Sequence, residues 1–219
     1  MTIHVGFLLF PKLTQLDATG PAQVLSRVPG VTIHLVWKAA GPVETDAGFS
    51  VMATDSFESC PELDVLCVPG GAGHLDCLRD EAVLRFLRRR AERAKYVTSV
   101  CTGSLLLGAA GLLDGYEAAC HWAFRDFLSS YGALPRSGRV VRDRNRITGG
   151  GVTAGIDFAL TLAAELAGEE VARLIQLGLE YNPAPPFDSG SPEAAGDARV
   201  AAFRARIAPL LEQQRVLSG

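Results

Sequence analysis

The sequence contains no CxxC and no HExxH, and its five cysteines, an odd number, show no close pairing. Neither a disulfide framework nor a metal site at recognisable ligand spacing is expected, and a reducing compartment follows. No stretch reaches the roughly 20 apolar residues that span a bilayer, so no membrane association is expected. The opening MTIHVGFLLFPKL lacks a basic leader and a small-residue cleavage site and reads as a first strand. Basic residues do not outnumber acidic ones: 21 against 24 give a formal charge of −3, and no basic stripe is interleaved with aromatics. Nucleic acid is therefore not the expected partner. The one basic cluster, Arg85, Arg88, Arg89, Arg90 and Arg93, is broken at helical spacing by Leu84, Phe86, Leu87 and Ala91, and reads as the wet face of a helix. A soluble cytoplasmic protein is the expectation.

What is present is ordinary globular composition, 48% hydrophobic and 21% charged over 219 residues, enough for a single α/β domain with a real core. Apolar runs at Ile3–Phe10, Val31–Trp37, Val65–Val68 and Tyr96–Val100 alternate with helical patterns at Gly20–Val28, Glu81–Ala94 and Gly103–Gly111. That rhythm predicts a doubly wound, mostly parallel sheet with helices on both faces, a flavodoxin-like sandwich. Arg139–Thr148 reads as a hairpin or edge ribbon. A helix follows Val152, and another is expected over about Glu169 to Tyr181. The segment at about 182–197, rich in proline and glycine, reads as a loop, and Ala198–Leu217 as a C-terminal helix. The run Gly149-Gly150-Gly151 gives the helix after it a joint able to absorb backbone rotation.

Ligands of open parallel sheets bind beyond the carboxyl ends of the strands. Three such ends carry unusual residues: Asp17 after the first strand, Gly70-Gly71-Ala72-Gly73 after DVLCVP, and Cys101-Thr102-Gly103 directly after YVTSV. Ser99 and Gly103 bracket Cys101 as small residues bracket a nucleophile on a strained strand-to-helix turn. The following helix points its N-terminus at the sulfur, which favours the thiolate and is expected to lower the thiol pKa below its free value of about 8.5. The amides of Gly70, Gly71 and Thr102 are candidates to cradle developing charge. Asp17 is either an N-cap of the helix that follows or a carboxyl held near the thiol as proton carrier, its pKa raised by an apolar pocket. His121 is either a second base or a hydrogen-bonded structural histidine. Cys67 reads as a small core residue, and Cys60, Cys77 and Cys120 have no elbow.

The segment VTSVCTGSLLLGAAGLLDG, with His121-Trp122, resembles the ThiJ/PfpI superfamily, which shares its fold with class I glutamine amidotransferases. The stretches GFLLFPKLTQLDATGPAQVL, LDVLCVPGGAG, TGGGVTAGIDFALTLAAELAG and LEYNPAPPFDSGSP are similar to the isocyanide hydratases within it. The resemblance implies that Cys101 is the nucleophile and Asp17 the acid/base, with Thr102 and amides near Gly71 holding the reacting group. It also implies a homodimer that needs no cofactor and converts an isocyanide to an N-substituted formamide through a Cys101 thioimidate. Val152 and Tyr181 are expected to line an apolar substrate pocket. Thr102 stands where histidine often follows the cysteine in the superfamily, which argues against protease and deglycase activity. The chain also lacks the late His-x-Glu pair of the amidotransferases. Two other readings remain open. One is a non-catalytic sensor like the N-terminal domains of AraC-type regulators, which continue into a helix-turn-helix domain that this sequence does not show before Gly219. The other is a glyoxalase or stress-response protein with a redox-sensitive cysteine.

Overall fold

A computed structural model describes residues 2–218. In chain order it contains β1 (Ile3–Leu8), α1 (Leu16–Leu25), β2 (Val31–Trp37), β3 (Gly41–Glu44), β4 (Ser50–Ala53), β5 (Asp55–Ser56), β6 (Val65–Val68), α2 (His74–Cys77), α3 (Glu81–Ala91), β7 (Tyr96–Val100) and α4 (Gly103–Ala109). There follow β8 (Glu117–Ala118), a 3-10 helix (Arg125–Tyr131), β9 (Leu134–Pro135), β10 (Val140–Asp143), β11 (Arg146–Gly149), α5 (Ala154–Ala167), α6 (Glu169–Gly178), α7 (Pro192–Ala195), α8 (Asp197–Arg206) and α9 (Ala208–Ser218).

The main sheet has the order β10-β11-β7-β6-β1-β2-β5 and is parallel except where β10 meets β11. Counting β1, β2, β6, β7 and β11 as its principal strands, the order is 2-1-3-4-5, the flavodoxin-like winding. Every residue of β6 and β7 is buried, which is why these strands read as unbroken apolar runs rather than alternating ones. One layer holds α1, α5 and α6, and the other α2, α3, α4 and α9. The Arg139–Thr148 segment is the expected ribbon, with β11 joined in parallel to β7 at the sheet's edge.

Several elements differ from their expected bounds, and four of the differences matter here. Helix α1 begins at Leu16, not Gly20, and carries Pro21 in its interior. Helix α6 stops at Gly178, where Glu180 turns the chain with φ +51. The proline-rich segment holds the short helix α7, capped by Ser191. The tail is two helices, broken at Ile207. No described helix is long and apolar enough to cross a membrane.

Candidate active site

The winding reverses between β1 and β6, and a crevice opens there beyond the carboxyl ends of the strands. Asp17 lies in the first turn of α1, on the β1 side of that crevice. Its helix is preceded by Gln15, which makes no side-chain cap, so Asp17 is not the N-cap. Its side chain instead crosses to the β6 side, where Oδ2 accepts the Gly70 N–H at 2.9 Å. Asp17 is only 1% exposed, and its Oδ1 has no hydrogen-bond partner of normal geometry. Burial pushes its pKa from 3.8 up to about 7, against the opposing pull of the Gly70 amide.

Cys101 stands beside this carboxyl with φ +59, a left-handed conformation that costs a residue with a Cβ about 1–2 kcal/mol. Two carbonyls on the neighbouring strand end hold it: the Cys101 N–H donates to Gly149 at 3.1 Å and to Gly150 at 2.8 Å. The glycine run expected to act as a joint thus anchors the elbow, and none of its three residues has a positive φ. The small bracket has a packing cause. A Cβ on Gly103 would lie 2.1 Å from the Val68 carbonyl oxygen, and the Ser99 and Ser104 hydroxyls meet at 2.8 Å beneath the turn. Across the crevice, a Cβ on Gly70 would lie 2.6 Å from the Thr102 nitrogen and 2.8 Å from the Cys101 Cβ, so only glycine lets the two turns touch.

Two electrostatic expectations are corrected. The Gly71 N–H donates to Thr102 Oγ1 at 3.0 Å and the Gly70 N–H to Asp17, so neither glycine amide is free to cradle a substrate. Of the three amides, that of Thr102 is the one that acts on the sulfur, favouring the thiolate. The thiol is also not depressed. Burial first, and the Asp17 charge second, push it well above its ordinary value, and the Thr102 amide opposes them with less effect. The resting pair is therefore a thiol beside a carboxyl whose pKa of about 7 lies near neutrality.

Cys101 and Thr102 open onto a cavity of about 150 Å³, whose walls include Gly71, His121, Phe124, Val152, Phe203 and Leu210. Val152 is where the sequence put it. Tyr181 is not: the turn at Glu180 folds it onto α5, where its hydroxyl donates to Asp157 at 2.6 Å, and it faces a separate groove with Leu16 and Ile156. The residues sequence reasoning missed are Phe124 and the tail residues Phe203, Ile207 and Leu210, which close the cavity from α8 and α9. His74 was missed as well. It is buried, with Nδ1 2.8 Å from the Gly71 carbonyl oxygen and Nε2 2.8 Å from the side chain of Gln214, and so ties the glycine turn to the tail. His121, open to either role from sequence, has its ring in the cavity wall.

A doubly wound sheet with a buried cysteine at a left-handed strand-to-helix turn, paired with a carboxyl from across the switch point, defines an α/β protein with a nucleophile-elbow architecture. The chain belongs to the DJ-1/PfpI family, whose model matches residues 3–165. It is 58% identical over 212 residues to the isonitrile hydratase of Pseudomonas putida, covering 97% of this chain and 93% of that protein. It is 30% identical over 181 residues to the HTH-type transcriptional regulator GbdR of Pseudomonas aeruginosa, covering 78% of this chain but 48% of the regulator. Among solved structures, a ThiJ/PfpI family protein from Pseudomonas syringae superposes with a TM-score of 0.97 at 44% identity, covering 100% of this chain and 91% of that one.

Proposed function

We propose that this protein hydrates isocyanides to N-substituted formamides, with Cys101 as nucleophile and Asp17 carrying the proton. The observation that carries this reading is the elbow thiol, which lines a small cavity with mostly apolar walls and stands beside a buried carboxyl of pKa about 7. The near full-length similarity to an isonitrile hydratase supports the substrate class.

An isocyanide carbon must gain a proton as it accepts a nucleophile. In the first step ionised Asp17 takes the Cys101 thiol proton and delivers it to that carbon as the sulfur adds. One C–S and one C–H bond form, giving a thioimidate on Cys101 and restoring the carboxylate. In the second step Asp17 takes a proton from attacking water and passes it to the nitrogen while the C–O bond forms. The tetrahedral intermediate collapses: the C–S bond breaks with its electron pair on sulfur, and the hydroxyl proton travels through Asp17 to the thiolate. Formamide and free thiol remain. The Thr102 amide stabilises the sulfur whenever it carries charge, and Gly70 holds Asp17 in reach. An engineered apolar cavity of about 150 Å³ takes up benzene, so the volume suits a small aryl or alkyl isocyanide. The same reading takes the working unit as a cytoplasmic homodimer of one ThiJ/PfpI-like domain over residues 1–219, without metal or cofactor.

Phenyl isocyanide incubated with the purified protein should disappear as formanilide accumulates, and Cys101→Ala should form none. Alanine meets the same φ without added strain, so this variant should remain folded. Similarity to the regulator GbdR favours a second reading, ligand sensing. Binding of the isocyanide without turnover by the wild type would decide for it.

A further inference from the structure

We propose that His121 is a further catalytic residue, whose Nε2–H donates a hydrogen bond to the nitrogen of the reacting isocyanide. The inference rests on the hydration reading and concerns the substrate nitrogen, to which Asp17 delivers a proton only in the second step.

The tautomer follows from the backbone. His121 Nδ1 accepts the Ala123 N–H at 3.3 Å, which leaves the ring proton on Nε2. Burial lowers the ring's pKa, so it stays neutral at pH 7 with that one donor. The plane is fixed by aromatic neighbours, with ring centroids 5.7 Å from Trp122, 6.0 Å from Phe203 and 6.1 Å from Phe124. The Cδ2 edge, which adjoins Nε2, looks toward Gly151: a Cβ there would sit 4.0 Å from Cδ2.

Other polar side chains in the wall are committed elsewhere. Thr14 donates to Asp46 at 2.5 Å, Thr102 Oγ1 is bonded to the Gly71 backbone, and both nitrogens of His74 are engaged. Nε2 of His121 has no partner among the described residues. The cavity's volume is that of a sphere of roughly 3 Å radius, little more than one ring. A carbon on the Cys101 sulfur therefore puts its nitrogen one bond further out, against this wall. His121 and Val152 also line the adjoining groove of about 430 Å³, so an N-substituent larger than one ring extends between them.

Nitrogen gains a lone pair when the sulfur adds, as the N≡C bond becomes C=N, and gains negative charge when water adds to that C=N. A fixed neutral donor stabilises the nitrogen at both stages, while the proton that finally resides on nitrogen comes from Asp17, so His121 never gives up its own.

The test compares His121→Phe, which keeps a stacked ring and removes the donor, with His121→Gln, which restores an N–H. Phenyl isocyanide turnover is measured alongside iodoacetamide alkylation of Cys101, which involves no substrate nitrogen. His121→Phe should lose about 10² in kcat, as the loss of one preorganised donor does. His121→Gln should recover about tenfold of that, with the alkylation rate unchanged in both. His121→Phe within about twofold of wild type overturns the proposal. So does a fall in alkylation parallel to turnover without recovery in His121→Gln, which would mean the ring only packs. Absence of wild-type turnover sinks the hydration reading itself, and this role with it.

Discussion

Replacing Asp17 by Asn removes one titratable proton and little else, and the structure says what that proton is worth. The carboxyl's pKa rises from 3.8 to about 7 on folding, which corresponds to about 4 kcal/mol of free energy. For a group with a raised folded pKa, the contribution to stability is full below its unfolded pKa and is lost as pH climbs to the folded one. Between pH 5 and pH 8 wild-type stability should therefore fall by about 2.5 kcal/mol relative to Asp17→Asn, a large share of a typical 5–15 kcal/mol total. The buried histidines His74 and His121 titrate with the opposite sign, their penalty growing as pH drops below 6.5, but they are common to both proteins and cancel. Denaturant unfolding at half-unit pH steps reads the difference. The same ionisation should appear in catalysis: kcat/KM of the wild type should rise through about pH 7 as the carboxylate that accepts the thiol proton forms. Asp17→Asn should lose about 10²–10⁴ in rate and the pH step with it. Parallel stability curves for the two proteins would refute the claim that Asp17 holds a proton in the folded state.

Two further outcomes test the geometry. Gly70→Ala drives a Cβ into Thr102 and Cys101; unfolding should show a loss of about 1–3 kcal/mol, and turnover should fall by about 10² because both reacting groups move. Tyr181→Phe, by contrast, removes a hydroxyl bonded to Asp157 outside the cavity, so kcat/KM should stay within about twofold and unfolding should show at most about 1 kcal/mol of loss.

The sequence exposed its strands and its elbow, because both are local. Val31–Trp37, Val65–Val68 and Tyr96–Val100 are continuous apolar runs since parallel strands are buried on both faces, and the structure returns those same boundaries. The start of α1 was hidden by Gly20-Pro21, which reads as a helix beginning. Those residues serve packing instead: a Cβ on Gly155 of α5 would lie 3.1 Å from Pro21 Cγ, and one on Gly20 3.4 Å from Ile156, so the pair lets two helices approach closely. Tyr181 was misplaced because one left-handed residue, Glu180, reverses the chain just before it, and glutamate carries no turn signal.

The chemistry was harder to read than the geometry, and the Cys101 pKa shows why. The local signal, a helix N-terminus behind the sulfur, is real: the Thr102 amide does favour the thiolate. It is outweighed by burial, and part of that burial comes from far along the chain. Phe203, Ile207 and Leu210 share the cavity with a cysteine about a hundred residues earlier, and the buried His74–Gln214 contact spans 140 positions. No periodicity or bracket around Cys101 encodes that cover. The same burial lifts Asp17 toward neutrality, so it does not merely silence the thiol. It raises both groups together, so that at neutral pH the proton rests on the sulfur, and the carboxyl beside it, with a pKa of about 7, is a stronger base than an ordinary carboxylate and takes that proton as the sulfur attacks.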